Sequence, residues 1–332
     1  NGNDTLSTFF CTGLAGIYTV GTPTSDFPTI NDALAALYGC GVSAPVTMQV
    51  QAGSYSTAIN INQPIPNISA SNTVTFNGAS KTAIITVSSG AAVTLDAIDH
   101  VTIEDFTLVN TSTTTGWGVL LTNAADFNTI RNNRIQMAST SSFNVAGIVA
   151  SGSTSSVSSS GNNANYTLVE NNEISGADRG ISFYGISTVS AYNSGNKIRN
   201  NNISDADNYG IYTYYQDSLE ISGNVIDEFP STFHYGIYIY YTMNFDLVGN
   251  TVNSEDYGLY IGRANSQTTP ARRALIANNM VTSTNDRAVY MFFPRDLDVY
   301  HNSFVSEASA IVLSSFDNTT DIKNNIFVLL FF

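Results

Sequence analysis

The stretch Ile130-Arg131-Asn132-Asn133-Arg134-Ile135 contains a pattern that returns along most of the chain: apolar, any, Asn or Gly, Asn, any, apolar. The fourth position is asparagine in every copy, at Asn133, Asn172, Asn201, Asn224, Asn250, Asn279, Asn302 and Asn325. The intervals between these asparagines are 39, 29, 23, 26, 29, 23 and 23 residues. A repeat with a minimum of 23 residues and occasional insertions is typical of a solenoid.

A second pattern, Gly-apolar-any-apolar, lies between the asparagine motifs, as in Gly236-Ile237-Tyr238-Ile239. The last two copies begin with Ala288 and Ala310 instead of glycine. Strict alternation indicates a strand with one buried face. Three short strands in about 23 residues, with no helical period and no Leu-x-x-Leu-x-Leu frame, predict one coil of an all-β parallel β-helix.

The asparagine column has a structural explanation. Asparagine tolerates the left-handed backbone conformation at a tight bend between two strands. Stacked asparagine side chains can also hydrogen-bond from coil to coil, about 4.8 Å apart. We therefore expect the eight asparagines to form a ladder.

The N-terminal region is expected to cap the solenoid. The segment from Thr29 to Gly39 has the pattern of a short amphipathic helix, with Thr29 as N-cap and Asp32 in the first turn. Its apolar face would cover the first coil. We expect an extension and capping helix in residues 1–45 and the β-helix in residues 46–332. Because the pattern continues to the last residues without a cap, we expect the chain to be a piece of a longer protein.

Composition excludes several partners. The 12 basic and 26 acidic residues give a formal net charge of −14, which argues against nucleic acid and anionic membrane surfaces. No apolar run is long enough to insert into a membrane. The two cysteines, Cys11 and Cys40, predict a disulfide that joins the extension to the end of the helix, with two free buried thiols as the alternative.

The N-terminal stretches from Cys11 to Gly21 and from Asp26 to Ala33, followed by Cys40-Gly41-Val42, resemble the start of large secreted β-helix proteins of Bacteroidetes-type bacteria. The later coils resemble the pectate-lyase-like superfamily. The resemblance implies a right-handed, single-stranded β-helix that is exported, commonly by the type IX route, and lies outside the cell or on its surface. It implies little about activity.

By the same resemblance, the Gly-apolar-any-apolar segment is the first strand of each coil, and its outer face is where such folds usually bind polysaccharide. Alternation places a stripe of aromatic side chains on this face over five consecutive coils: Tyr184, Tyr212, Tyr214, Tyr238, Tyr240, Tyr260, Tyr290 and Phe292. Four steps between coils span roughly 19 Å, the length of a short oligosaccharide.

Three interpretations of the stripe stay open. Tyrosine offers a flat apolar face and a hydroxyl, so the stripe could bind a polysaccharide or a cell-surface glycan, as in an adhesin. It could only stabilise the sheet, in a structural stalk or fibre. It could also contact another protein surface, such as a further domain of the chain or a second copy. Insertions at residues 151–165, 186–196 and 263–273 could form walls beside it.

An enzyme is the alternative function. Asp256 and Asp286 occupy equivalent positions on neighbouring coils, at a spacing that suits a glycoside hydrolase, and His234 lies one coil away as a candidate base. Stacked carboxylates could instead bind Ca²⁺, or could be solvated turn residues. The motifs of polygalacturonases and pectate lyases are missing, so we expect a non-catalytic module without a cofactor, and a polysaccharide hydrolase or lyase is the second hypothesis.

Overall fold

The computed structural model describes residues 11–227, 234–266, 272–315 and 319–330. Within them the chain forms a right-handed parallel β-solenoid of about 11 turns, which confirms the predicted fold. Each coil contributes one strand to each of three parallel sheets, named here the first, second and third sheet in the order in which a coil visits them.

The first sheet contains the glycine-led strands. Its ten strands are Ile59–Ile61, Gly90–Asp96, Thr115–Thr122, Asn144–Ala150, Arg179–Tyr184, Tyr209–Tyr214, Tyr235–Tyr240, Tyr257–Gly262, Arg287–Phe292 and Ser309–Ser314. They pair in chain order, so each coil lies directly on the previous one.

The second sheet has twelve strands: Leu14–Val20, Val42–Val50, Val74–Asn77, Val101–Glu104, Thr129–Arg131, Leu168–Glu170, Lys197–Arg199, Glu220–Ser222, Asp246–Val248, Ala274–Ala277, Leu297–Tyr300 and Asp321–Lys323. The third sheet has eleven: Gly53–Tyr55, Ala83–Val87, Thr107–Asn110, Arg134–Met137, Glu173–Ser175, Asn202–Ser204, Val225–Asp227, Thr251–Ser254, Met280–Ser283, Ser303–Ser306 and Ile326–Leu329. A short pair, Asn193–Ser194 with Gln216–Asp217, and a 3₁₀ turn at Val189–Ala191 lie in the insertions.

The core consists of apolar columns that run along the solenoid axis. Ile211, Ile237 and Leu259 pair in register on successive coils, and each is completely buried. A branched aliphatic side chain suits a strand, and stacking equivalent residues buries the same face in every coil. The core therefore grows with each repeat as one continuous cluster, and a smaller cluster around Trp117 and Val157 lies apart from it.

The bend between the second and third sheets differs in one respect from the prediction. The left-handed residue is the one before each ladder asparagine, for example Asn132, Asn171 and Gly223, with φ of 57°, 55° and 65°. The prediction that the ladder asparagines themselves adopt this conformation is wrong. The third motif position needs positive φ, which explains why it is usually Asn or Gly.

The ladder asparagines instead have a hydrogen-bonding role. The Asn224 side-chain amide donates to Asn250 Oδ1 at 3.0 Å, and the Asn224 backbone N–H donates to the same oxygen at 3.0 Å. The same side-chain amide also donates back to the Ile198 carbonyl at 2.9 Å. This arrangement repeats from Asn133 to Asn325, and it satisfies buried backbone groups at every bend.

The N-terminal region matches its prediction in the helix and the disulfide. Helix α1 spans Ile30–Cys40, with a capping box in which Thr29 and Asp32 satisfy each other's backbone N–H. Cys11 and Cys40 form the predicted disulfide. The extension is not separate from the solenoid, because Leu14–Val20 pairs with Val42–Val50 as the outermost strand of the second sheet. Helix α1, at 11 residues, is too short to cross a membrane, and no other helix of the described residues is long and apolar enough.

Candidate functional site

The predicted aromatic side chains lie together on the outer face of the first sheet. Tyr212, Tyr238, Tyr260 and Tyr290 pair in register along one column. Tyr184, Tyr214 and Tyr240 form the neighbouring column, which continues through Gly262 to Phe292. All eight aromatic side chains are half-buried, whereas the residues between them in sequence point into the core.

The rings stack on one another along the solenoid axis. The ring centres of Tyr212 and Tyr238 are 5.1 Å apart with planes at 11°, and those of Tyr238 and Tyr260 are 4.7 Å apart at 12°. Tyr184, Tyr214 and Tyr240 repeat this geometry at 5.0 Å. Because the spacing matches the distance between neighbouring strands, one ring per coil produces a continuous stack.

Stacking changes what the surface can offer to a ligand. The faces of a ring such as Tyr238 are covered by its neighbours, so a sugar ring cannot lie flat on them. The ring edges and hydroxyl groups are what remain for contact at the outer surface. The surface is therefore an array of C–H edges and hydroxyls that repeats with every coil.

A third column of tyrosines was missed by the sequence argument. Tyr209, Tyr235 and Tyr257 precede the glycine of each strand and stack at 5.1 and 4.9 Å. The alternation argument did not include these tyrosines in the outer stripe, because it assumed that every second residue faces inward. The Gly–Ile step breaks this alternation, since both residues face the core and a Cβ on Gly236 would lie 2.2 Å from Val252 Cγ1. The recurring Tyr-Gly dipeptide is the signal that could have found them.

A fourth aromatic column is formed by the residues that come directly after three strands of the first sheet. Tyr215, Tyr241 and Phe293 have φ of 56°, 48° and 47°, which reverses the usual alternation, and Tyr215 and Tyr241 stack at 5.3 Å. We call the four columns together the tyrosine surface. It comprises Tyr184, Tyr209, Tyr212, Tyr214, Tyr215, Tyr235, Tyr238, Tyr240, Tyr241, Tyr257, Tyr260, Tyr290, Phe292 and Phe293.

Arginine side chains cover the terminal rings of the third column. The Arg179 guanidinium is in register with Tyr209 and lies 5.0 Å from the centre of its ring. At the other end, the Arg287 guanidinium lies 5.4 Å from the Tyr257 ring and donates a hydrogen bond to its hydroxyl at 2.6 Å. These cation–π contacts cover ring faces that stacking leaves open.

The hydroxyls of Tyr238, Tyr257 and Tyr260 have raised pKa values and stay protonated at physiological pH. Burial raises the pKa of Tyr257 and of Tyr260 to about 12. Burial also raises the pKa of Tyr238 well above its ordinary value, because each phenolate would be surrounded by other rings. The surface can therefore both donate and accept hydrogen bonds through neutral hydroxyl groups.

The candidate catalytic residues lie in the turn that precedes the first sheet. Asp256 Oδ2 accepts a hydrogen bond from the backbone N–H of His234 at 2.8 Å, and His234 is completely buried. Asp286 Oδ2 accepts one from Arg287 at 2.8 Å. Both carboxylates therefore accept hydrogen bonds from residues at or next to the start of a first-sheet strand. Their catalytic roles stay predictions.

The insertion that follows Ala150 crosses the outer face of the first sheet. Val157 is buried against Trp117 and Leu120, and its carbonyl accepts a hydrogen bond from Ser182 Oγ at 3.2 Å. This segment therefore closes the N-terminal end of the tyrosine surface. The 186–196 insertion contributes Tyr192, whose ring lies 5.5 Å from that of Tyr215. In the third insertion, residues 267–271 lie outside the described residues.

The fold and this face define a right-handed parallel β-helix with an aromatic outer sheet. The chain belongs to the family described as periplasmic copper-binding protein (NosD), whose model matches residues 76–270 and 231–328. No curated protein matches it.

Solved structures share the fold at low sequence identity. PfbA, a surface adhesin of Streptococcus pneumoniae, has a TM-score of 0.58 at 13% identity, over 90% of this chain and 86% of that one. The GH136 lacto-N-biosidase of Eubacterium ramulus has a TM-score of 0.59 at 11% identity, over 95% and 68%. DFA-IIIase of Arthrobacter chlorophenolicus has a TM-score of 0.52 at 10% identity, over 92% and 90%. At such identities the likeness concerns the fold alone.

Proposed function

We propose that this chain is an exported, non-catalytic β-helix module that binds a neutral glycan through the tyrosine surface, in the manner of an adhesin. The observation that carries the proposal is the continuous array of half-buried tyrosine edges and hydroxyls over successive coils. A single exposed aromatic would need no explanation, but a large contiguous patch marks an interaction site.

The chemistry of the array favours a sugar chain. Ring edges supply apolar contact, and neutral hydroxyls donate to and accept from the hydroxyl groups of a saccharide. The central columns carry no charged side chain from Tyr212 to Tyr290, and the net charge of −14 disfavours an anionic polysaccharide. An extended chain along the solenoid axis would meet equivalent groups at every coil.

An exported location is part of the proposal. The Cys11–Cys40 disulfide suits an oxidising compartment. The family description is periplasmic, and PfbA is a surface adhesin. Type IX export and display by a Bacteroidetes-type cell remain predictions from the N-terminal stretch.

Copper does not fit the residues of this chain. Within the described ranges, no three His, Cys, Asp or Glu side chains group where they could hold a metal ion. Both cysteines are in the disulfide, so they supply no thiolate. The three histidines belong to different coils: His100 precedes the strand Val101–Glu104, His234 precedes Tyr235–Tyr240, and His301 follows Leu297–Tyr300. We therefore derive no function through copper.

The test replaces hydroxyls while keeping the stacks. In a Tyr212→Phe, Tyr238→Phe, Tyr260→Phe triple variant the ring stack persists, so stability should change little. On a glycan array with neutral and acidic members, the wild-type chain should bind neutral glycans and the triple variant should lose most of that binding. The matched control carries Tyr18→Phe, Tyr166→Phe and Tyr300→Phe, which lie off the tyrosine surface.

Other outcomes would contradict the proposal. Equal binding by the triple variant and the wild type would remove the hydroxyls from recognition. No glycan binding by the wild type would leave the stacks as scaffold. Cleavage of a bound glycan that stops in Asp256→Asn or Asp286→Asn would establish the enzyme hypothesis instead.

A further inference from the structure

A cavity of about 370 Å³ opens on the outer face of the first sheet, toward the N-terminal end of the solenoid. Its floor is formed by Asn60, Thr94 and Leu120, which pair in register on three successive coils. These residues belong to the same column that becomes Tyr212 and Tyr238 further along the chain.

The lining is apolar on one side and polar on the other. Trp117, Leu120 and Ala91 form the apolar side. The polar side chains are Ser89, Asn60, Asn62, Thr94 and Asp96, and Thr154 of the crossing insertion contributes to the wall. The amides of Asn60 and Asn62 are exposed, and the Asp96 carboxylate is held by Asn123 Nδ2 at 2.7 Å.

Trp117 marks this cavity in two ways. It is the only tryptophan of the chain, and it is 1% exposed. Its indole N–H is buried without a hydrogen-bond partner, although buried donors in proteins are nearly always paired. Because Trp117 also lines the cavity, its fluorescence can report on a ligand bound there.

The lining selects one class of ligand. Among the described residues no basic side chain lines the cavity, so an anion would find no counter-charge there and would face the Asp96 carboxylate. A metal ion would find only one carboxylate there. A wholly apolar ligand would cover the exposed amides of Asn60 and Asn62 without offering them hydrogen-bond partners. A neutral molecule with one apolar face and several hydroxyls satisfies both sides.

We propose that this cavity is a second binding site, for one or two rings of a neutral saccharide. Carboxamide and carboxylate groups of Asn60, Asn62 and Asp96 bind its hydroxyls, while Ala91 and the small exposed parts of Leu120 and Trp117 contact its apolar face. The site is separate from the tyrosine surface, because Val157 packs on Trp117 and Leu120 between the two. The proposal does not depend on ligand binding at the tyrosine surface.

The single tryptophan makes the test specific. Trp117 emission, excited where tyrosine does not absorb, is followed while cellobiose, maltose, lactose or N,N′-diacetylchitobiose is added to the full chain. We expect at least one of them to give a saturable change. An Asn60→Ala, Asn62→Ala double variant should weaken that binding by about tenfold or more, because two hydrogen-bonding groups are lost.

The controls separate this site from the tyrosine surface. An Asn202→Ala, Asn253→Ala variant changes two exposed asparagines of the third sheet and should bind like the wild type. The Tyr212→Phe, Tyr238→Phe, Tyr260→Phe variant should also keep the Trp117 response, whatever it does on a glycan array. No response to any of the four disaccharides, or equal affinity in the Asn60/Asn62 variant, would overturn the proposal. A response to sodium glutamate or calcium chloride alone would also overturn it.

Discussion

The guanidinium of Arg179 lies 4.2 Å from the centre of the Tyr212 ring. Arg179 is 6% exposed, and its Nε lies 3.2 Å from Oδ2 of Asp178, which is completely buried. The first ring of the central tyrosine column therefore packs on a buried ion pair. Since a buried charge is stable only when it is paired, loss of either charge would leave the other unpaired beneath the tyrosine surface.

Removing Arg179 should destabilise the protein strongly. Arg179→Met leaves the Asp178 carboxylate buried without its partner, at a cost of about 3–5 kcal/mol in the free energy of unfolding. The matched control is Arg287→Met, because the side chains of Arg287 and its partner Asp286 are 31% and 33% exposed. That change should cost about 1 kcal/mol or less. Guanidinium unfolding of both variants measures the difference, and equal losses would show that burial does not matter here.

The same ion pair predicts a pH dependence. Burial raises the pKa of the Asp178 carboxyl above its ordinary value of 3.8, despite the opposing effects of Asn208 and Arg179. A raised folded-state pKa stabilises the fold below the unfolded-state pKa, and this contribution disappears as pH rises through the folded-state value. The stability of the wild type relative to Asp178→Asn should therefore fall as pH rises from about 3 toward 7. Urea unfolding of both proteins across this range tests the sign, and a difference that grows with pH would contradict it.

Two glycine substitutions should have opposite effects. A Cβ on Gly262 would lie 2.3 Å from the Tyr240 ring, so Gly262→Ala must displace that ring from its stack, at a cost of about 1–3 kcal/mol. Gly39 lies within helix α1, and a Cβ added to it would have no neighbouring atom within 4 Å, so Gly39→Ala should stabilise by about 0.5–1 kcal/mol. Thermal unfolding of the two variants provides the comparison. A neutral Gly262→Ala would mean that Tyr240 moves freely.

The repeat made the fold predictable from sequence. The spacing of the asparagines predicted the coil length, and Gly-apolar-any-apolar predicted a strand with one buried face in each coil, which the family resemblance identified as the first strand. The capping helix followed from Thr29, Asp32 and an apolar face, signals that depend only on neighbouring residues.

The site was less predictable, for local reasons. Alternation found Tyr212 and Tyr214, but it failed on either side of them, at the Gly–Ile step before Tyr212 and at the left-handed residue Tyr215. It also could not show that the rings stack, because stacking depends on side-chain orientation between coils. The cavity beside Trp117 depends on an insertion that folds back across the sheet, which no periodicity describes.

The disulfide should contribute measurably to stability. Cys11 and Cys40 are 29 residues apart in sequence. Closing a loop of that length reduces the entropy of the unfolded chain, which stabilises the folded state by about 3–4 kcal/mol. A Cys11→Ser, Cys40→Ser variant should unfold at lower denaturant concentration, beginning with the N-terminal strand and helix α1. Hydrogen exchange at Leu14–Val20 and Ile30–Cys40 would locate the loss. Two alkylatable thiols in the unreduced wild-type chain would contradict the bond itself.

The asparagine ladder makes the sharpest prediction about stability. Asn250 donates its side-chain amide to Asn279 Oδ1 and to the Ile221 carbonyl, both at 3.0 Å. Its Oδ1 accepts from the backbone and the side chain of Asn224, also at 3.0 Å. Asn250→Leu breaks all four bonds and leaves buried groups on both neighbouring coils without partners.

Each unsatisfied buried group costs about 1–3 kcal/mol, so Asn250→Leu should lower the free energy of unfolding by about 3 kcal/mol or more. Asn202→Leu is the matched control, since Asn202 is exposed on the third sheet and should tolerate the change within about 0.5 kcal/mol. Asn250→Asp keeps the acceptor for Asn224 but removes the two donors and buries a charge, so it should regain stability relative to wild type as pH falls. Guanidinium unfolding near pH 4 and pH 7 measures all three variants. If Asn250→Leu and Asn202→Leu unfold alike, the ladder contributes nothing beyond the backbone pairing of the coils.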